Sequence, residues 1–254
     1  MLAPMTTDRL MRHYTDKYAG QSDPKVKPLS VRQPADRYEA ALAFLPPRIP
    51  AGAEILEMGA GDGAVALSLM KGGVPFSSYT IGDISPPRLE GLRETFTDDR
   101  FHLAEVDAEE VSASVKGPFD AVIMVALIEH LVDPMEAMSD IRSVLKPGGF
   151  VYIDTPNIAK WTRRVKLALG QFPSTASTNE GLTTYEGEPA DLHDEGHLHY
   201  FTYRSLRLML TERCGFSRVE ELGYYIDGRF PALGHRLAPW RPSVFSEIAM
   251  VAYA

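Results

Sequence analysis

The sequence predicts an α/β protein built around an open, doubly wound parallel sheet. Between about residues 53 and 154, short apolar runs alternate with helical patterns, and Gly- and Pro-containing turns separate them. Two later runs, "SRVEELGYY" and "SVFSEIAMVAYA", are candidates for a final antiparallel pair of strands. We expect a single domain that spans residues 1–254.

The elements follow in chain order. The predicted strands of the alternating region are "AEILEM", "SSYTIGD", "RFHLAEVD", "FDAVIMVAL" and "GGFVYID". Ser85 before Pro86 and Asp133 before Pro134 predict two helix starts, because a capping side chain and a proline in the first turn suit a helix N-terminus. The segment "YRSLRLMLTERCGF" predicts a further helix that ends at a glycine.

Two segments lie outside the alternation. Residues 1–50 predict two helices, near 8–18 and 35–45, which would form a helical cover over the open edge of the sheet. Residues 157–201 contain a basic helical pattern and then a long polar stretch. A loop of this length inside a domain is typical of a lid, a binding loop or disorder, and we expect a lid over the binding site.

Composition excludes several classes of protein. A net charge of −8 argues against non-specific nucleic-acid binding, and no apolar run is long enough for a membrane span. The first residues lack the apolar core of a signal peptide, so we expect a cytoplasmic protein. A single cysteine, Cys214, excludes an internal disulfide. The basic run "AKWTRRVKLAL" is either a solvated helix face or a contact for an anion or a membrane surface, and the oligomeric state stays open.

The stretch "ILEMGAGDGA" carries the most specific signal. Its glycines Gly59, Gly61 and Gly63 follow the pattern G-x-G-x-G rather than the G-x-G-x-x-G of a dinucleotide site. Glycine at a strand end lets the backbone come close to a ligand. A pyrophosphate would gain nothing from Glu57, whereas an ammonium or sulfonium group would, and Asp62 adds negative charge to the same turn.

Acids also follow the next two predicted strands. Asp83 ends the second strand, where a carboxylate can accept hydrogen bonds from both ribose hydroxyls, and Asp107 follows the third, where it could accept from an adenine amine. These acids predict a ligand that has an adenosine with its ribose and a positive charge but no phosphate. S-adenosylmethionine is such a ligand.

These motifs resemble those of the class I S-adenosylmethionine-dependent methyltransferases, over nearly the whole chain from about residue 50. They are "ILEMGAGDG", "IGDIS", "VDAEE", "FDAVIMVALIEHLVDP" and "IRSVLKPGGFVYIDTPN". The resemblance implies a Rossmann-like sheet of seven strands with the last one antiparallel. It also implies cofactor contacts at Glu57, Gly59, Gly61, Gly63, Asp83, Ile84, Asp107, Ala108 and Val125.

The sulfonium is already a good leaving group, so the protein mainly aligns and desolvates the reactants. A hydroxyl acceptor additionally needs a base or a metal to develop oxyanion character. The predicted catalytic residues are Glu129, His130 and His197. They come from two clusters: the "EH" pair after the fourth strand, which could instead be a structural anchor, and the segment "DLHDEGHLHYF", which could instead be a hydrogen-bonded hinge. The second cluster also contains Asp191, His193, Asp194 and His199.

No metal is predicted. The "EH" pair resembles part of the E-x-x-E-H magnesium motif of ubiquinone-pathway O-methyltransferases, but Ala126 stands where the first glutamate would be. A divalent ion held by Glu129, His130 and a histidine of the insertion stays open as an alternative.

The insertion also resembles that of bacterial methyltransferases that act on sugars, glycan ends or small metabolites. We therefore expect O-methylation of a hydroxyl on such a molecule. The basic helix would suit an acceptor that carries a negative charge. Two other functions stay open: a non-catalytic regulatory module that binds S-adenosylmethionine or its product, and an NAD-dependent oxidoreductase. The glycine spacing and Glu57 disfavour the oxidoreductase.

Overall fold

The structure, a computed structural model, describes residues 24–29, 32–177, 179–184, 187–227 and 231–254. In these residues one seven-stranded sheet has the order β3-β2-β1-β4-β5-β7-β6. Its strands are β1 (Ala53–Met58), β2 (Phe76–Asp83), β3 (Phe101–Glu105), β4 (Phe119–Val125), β5 (Leu145–Pro156), β6 (Arg218–Leu222) and β7 (Glu247–Tyr253). β7 runs antiparallel to β5 and β6, so the predicted fold class is confirmed.

Helices fill the connections between the strands. They are α1 (Arg37–Phe44), α2 (Ala64–Lys71), α3 (Pro86–Leu92), α4 (Val111–Ser114), α5 (Pro134–Ser143), α6 (Trp161–Ala168), α7 (Tyr203–Leu208) and α8 (Pro231–Leu237). Pro86 and Pro134 begin α3 and α5 as predicted, and the Asp133 side chain caps α5. The helix that starts at Tyr203 differs from expectation, because a π-helical turn replaces its last part at Met209–Arg213.

Apolar side chains cover both faces of the sheet. Alternate residues of β4 point to opposite faces, so Ile123 packs with one core cluster, while Val122 and Met124 pack with the other. α1 and α2 lie on the Ile123 face, and α5 and α7 lie on the Met124 face. Burial on both faces explains why the strands read as continuous apolar runs in the sequence.

The described part of the N-terminal region is α1, which matches the helix predicted at 35–45. Its residues Ala40, Ala41 and Leu42 are fully buried against α2 and the central strands β4 and β5. α1 therefore covers a face of the sheet and not its open edge, because its apolar residues need a broad apolar surface. The helix predicted at 8–18 lies outside the described residues. Within them, no helix has the length and apolar character needed to cross a bilayer.

The strand register brings the ends of four strands to one level. Glu57 pairs with Ile81 of β2 and Ile123 of β4, and Val125 pairs with Asp154 of β5. Since β7 is antiparallel, its first residue reaches the same edge. Side chains from distant parts of the chain therefore meet at this edge.

Candidate active site

Glu57 lies in the last part of β1, next to the glycine turn. Its side chain is buried, and its Oε2 accepts a hydrogen bond from Tyr79 Oη at 2.6 Å. Burial raises the pKa of Glu57 to about 7; the nearby Asp62 charge adds to this rise and the Tyr79 bond opposes it. A cation placed beside Glu57 would favour its ionised form.

The three glycines form the turn between β1 and α2, and all have positive φ angles, 63°, 61° and 75° in order. An added Cβ would come within 3.2 Å of Leu127 at Gly59 and within 2.6 Å of Phe96 at Gly63. At Gly61 it would enter open space. The outer two glycines therefore fit close packing, whereas Gly61 faces the room that a ligand would need.

Asp83 lies at the end of β2 and is 5% exposed. Its Oδ1 accepts the N–H of Ser85 at 2.9 Å, and its Oδ2 lies 3.1 Å from Arg88 Nη1. A carboxylate offers about four lone-pair directions, so these two bonds leave capacity for ribose hydroxyls.

The other predicted cofactor contacts surround the same edge. Asp107 follows β3, is half-buried and accepts the N–H of Glu109 at 2.9 Å. Ile84 and Ala108 are half-buried beyond the ends of β2 and β3, and Val125 is buried at the end of β4. The sheet thus brings these positions together, while their contacts with a cofactor stay predictions.

The predicted catalytic residues lie close together although the chain separates them. Glu129 and His130 occupy a short 3-10 turn after β4, and His197 comes from the insertion. The rings of His130 and His197 are 4.7 Å apart, edge to face, and one potential ligand atom from each of the three residues lies within 4.8 Å of the others. This group could hold a metal ion or accept a proton.

Hydrogen bonds fix the form of both imidazoles. His130 Nδ1 lies 3.1 Å from the carbonyl oxygen of Gly196, which can only accept. His197 Nδ1 lies 2.6 Å from Thr175 Oγ1, and that hydroxyl already donates its single proton to Asp194 Oδ2. Both rings therefore carry their proton on Nδ1, and Nε2 holds the lone pair in the neutral form.

Asp194 anchors the insertion. It is fully buried, and it accepts hydrogen bonds from the Ser174 hydroxyl, the Thr175 hydroxyl and the Thr175 and Ala176 N–H groups. These bonds lower its pKa even though burial acts in the opposite direction. Asp194 thus fits the interpretation of a hydrogen-bonded hinge, while His197 lies beside Glu129 and His130.

The remaining members of the cluster do not join that group. His199 Nε2 lies 3.2 Å from the carbonyl oxygen of Val132, and the exposed His193 contacts the carbonyl oxygen of Glu180 through Nε2 and packs on Phe172. Asp191 is exposed.

The basic helix α6 has no buried residue. Next to it, Lys160 Nζ lies 2.6 Å from Asp227 Oδ1. Arg163 donates to backbone carbonyl oxygens, among them those of Asn157 and Ser246. Two of the positive charges near the site are therefore engaged within the protein.

Several side chains at this edge were missed by sequence reasoning. Glu129 Oε2 accepts a hydrogen bond from Thr155 at 2.9 Å, and Asp154 Oδ2 accepts one from Tyr224 at 2.6 Å. Arg37 of α1 points Nη2 toward Glu247 Oε2, at 3.7 Å. The family motif "IRSVLKPGGFVYIDTPN" ends at this point of β5, but it gave no role to its side chains.

Comparisons with known proteins fit this arrangement. A family model described as a methyltransferase domain matches residues 31–221. A ubiquinone biosynthesis O-methyltransferase of Xylella fastidiosa (strain 9a5c) is 29% identical over 163 residues, 59% of this chain and 63% of that protein. One of Xanthomonas axonopodis pv. citri is 31% identical over 150 residues, 56% and 60% of the two chains. This chain thus spans about three fifths of the length of these relatives.

A solved structure has the same fold. The Burkholderia thailandensis 1,6-didemethyltoxoflavin-N1-methyltransferase, with bound S-adenosylhomocysteine, superposes with a TM-score of 0.57 over 100% of this chain and 91% of that one, at 16% identity. This likeness shows the fold alone. Since the methyltransferase model covers well over half of the residues, the chain belongs to the class I S-adenosylmethionine-dependent methyltransferases.

Proposed function

We propose that this protein transfers the methyl group of S-adenosylmethionine to a hydroxyl of a small metabolite, a sugar or a glycan end. The observation that carries the proposal is the group of Glu129, His130 and His197 beside the end of β4. The relatives named as O-methyltransferases support oxygen as the methylated atom.

In this proposal the cofactor lies over the glycine turn. Glu57 faces its positive methionine end, Asp83 binds the ribose, and Asp107 binds the adenine. Ile84, Ala108 and Val125 contact the nucleoside, and Gly61 provides the room for close approach. The insertion 157–201 acts as the lid that excludes water from the acceptor. The cytoplasm stays the predicted location.

His130 or His197 acts as the general base. The acceptor hydroxyl gives its proton to Nε2 while its oxygen attacks the methyl carbon, and the carbon–sulfur bond breaks with its electron pair moving to sulfur. The bonds at Nδ1 hold both rings in the required form, and the Glu129 carboxylate would stabilise the resulting imidazolium.

A divalent cation is the second route that the same residues support. Glu129 Oε1 is buried without a hydrogen-bond partner among the described residues, and His130 and His197 each place a potential ligand atom within 4.8 Å of a potential ligand atom of Glu129. A bound cation would lower the pKa of the acceptor hydroxyl directly. Loss of turnover on dialysis against EDTA, restored by one metal, would favour this route; full turnover would favour the base.

The test is release of S-adenosylhomocysteine from the full chain, measured by mass spectrometry with a panel of catechols, phenols and free sugars. The substitution that removes the base, His130→Ala or His197→Ala, should lower kcat by roughly 10²–10⁴ with little change in cofactor affinity. Full turnover in both variants would reject the base assignment. His199→Ala is the matched control, because this ring bonds Val132 outside the group. If cofactor binds and no acceptor gives release above a protein-free blank, a regulatory binding module would be the better interpretation.

A further inference from the structure

A set of buried polar side chains lies beyond the histidines, where β5 ends and β7 begins. Asp154 and Tyr152 are both 0% exposed, and Glu247 is 7% exposed. Asp154 pairs with Ala249, so Glu247, two residues before Ala249, shares the face of Asp154. Arg37 of helix α1 lies next to them, with its Nη2 3.7 Å from Glu247 Oε2.

Some buried polar atoms of this set form no hydrogen bond with the described residues. Asp154 Oδ1, Glu247 Oε2 and Tyr152 Oη have no hydrogen-bond partner among the described residues. Each such buried group costs about 1–3 kcal/mol when it is left unsatisfied, so it normally marks a water or a ligand. The Tyr152 hydroxyl is neutral, because burial raises its pKa well above the usual value. Its lack of a hydrogen-bond partner among the described residues therefore supports a binding role independently of the carboxyl charges.

The charge around these atoms is unbalanced. Glu129, Asp154 and Glu247 interact electrostatically with one another and with Arg37, and Glu247 also interacts with Arg163 and Asp227. Carboxyl groups therefore outnumber guanidinium groups here. Burial, with the Glu247 charge next, raises the pKa of Asp154 well above its usual range. A cation would relieve the repulsion that raises it.

The other charged groups nearby do not offer a site for an anion. Arg163 acts on Glu247 but donates to backbone carbonyl oxygens, and Lys160 is paired with Asp227. An acceptor bearing a carboxylate or a phosphate would instead meet the carboxyl groups of Asp154 and Glu247, whose Oδ1 and Oε2 accept no hydrogen bond from the described residues.

We propose that the methyl acceptor carries a protonated amine near its reactive hydroxyl, and that Asp154 and Glu247 bind this amine. An ammonium group has three donors and no acceptor, which matches carboxyl oxygens that accept no hydrogen bond from the described residues. The inference rests on the proposed function for the reaction, but the binding it describes does not require turnover.

The test compares three six-carbon sugars of similar size that differ in charge: D-glucosamine, D-glucose and D-glucuronate. Binding to the full chain with S-adenosylhomocysteine is measured by calorimetry near neutral pH. Glucosamine should bind about tenfold more tightly than glucose, and glucuronate should bind most weakly. Equal affinities, no binding, or a preference for glucuronate would overturn the proposal.

Variants assign the preference to the site. Asp154→Asn and Glu247→Gln should each reduce the glucosamine-to-glucose ratio toward one, and retained S-adenosylhomocysteine binding shows that they fold. Glu90→Gln removes the same charge from a 71% exposed side chain and should leave the ratio unchanged. An amine preference without product release from any acceptor would reject the proposed function alone, whereas release without the preference would reject this inference alone.

Discussion

At the scale of single residues, the site depends on groups whose protonation is set by burial. Glu57 is the clearest case, because its pKa of about 7 lies in the working range of an enzyme, while a carboxyl in water titrates near 4.5. Any ligand that brings positive charge to the glycine turn must therefore compete with a proton.

This gives the first prediction. A sulfonium or ammonium beside Glu57 lowers its pKa, so binding releases a proton wherever the ligand-free carboxyl is protonated. The affinity for S-adenosylmethionine should rise between about pH 5.5 and pH 8 and then level off, as calorimetry would measure. Glu57→Gln should bind more weakly at pH 8 and lose most of the pH dependence. An affinity that stays constant in the wild type over this range would contradict the assignment.

At the scale of elements, the parts of the site that could be predicted are those carried by one strand and its turn. β1 with its glycines, and β2 with Asp83, follow from local patterns, since an apolar run ends at a polar residue. Arg37, Asp154 and Glu247 could not be assigned in this way. They meet only through the antiparallel β5–β7 pairing and the packing of α1, and neither is encoded by spacing along the chain.

The turn after β1 allows a matched pair of substitutions. Gly61 and Gly52 have φ angles of 61° and 75°, and an added Cβ meets no heavy atom within 4 Å at either position. Alanine at either should cost about 1–2 kcal/mol of unfolding free energy, because the left-handed region is strained for L-residues.

Only Gly61→Ala should also weaken cofactor binding, by at least about tenfold, since its Cβ would occupy ligand space. Urea unfolding and calorimetry measure the two effects separately. Equal cofactor affinity in the two variants would show that the ligand does not approach Gly61.

The insertion gives the third prediction. Asp194→Ala leaves the Thr175 and Ala176 N–H groups without their acceptor, a cost of about 1–3 kcal/mol for each buried group. Residues 174–177 should then exchange amide hydrogens faster, and kcat should fall because Thr175 no longer holds His197. Cofactor affinity should change little, and Glu188→Gln, at an exposed carboxyl of the same insertion, should act as a silent control. Unchanged exchange at 174–177 would mean that other contacts hold the insertion.

At the scale of the whole molecule, the sheet collects acids at one edge and buries them, although the chain already has a net charge of −8. The arrangement disfavours the ligand-free state near neutral pH. A positively charged ligand would reduce the electrostatic repulsion between these acids, so binding would offset the free energy that their burial costs.

The last prediction follows from that balance. Burial raises the pKa values of Glu57, Glu129, Asp154 and Glu247, so the folded ligand-free protein holds more protons than the unfolded chain above about pH 4.5. Its unfolding free energy should therefore fall from pH 5.5 to pH 8, with Glu57 contributing about 1–3 kcal/mol, and urea unfolding at the two pH values measures it.

Glu57→Gln should reduce the fall. Asp98→Asn should not change it, because hydrogen bonds from Arg100 lower the pKa of Asp98 to about 2, so that this carboxyl affects stability only in acid. Stability that rises across this range would show that the buried acids at the sheet edge are ionised and paired before any ligand arrives.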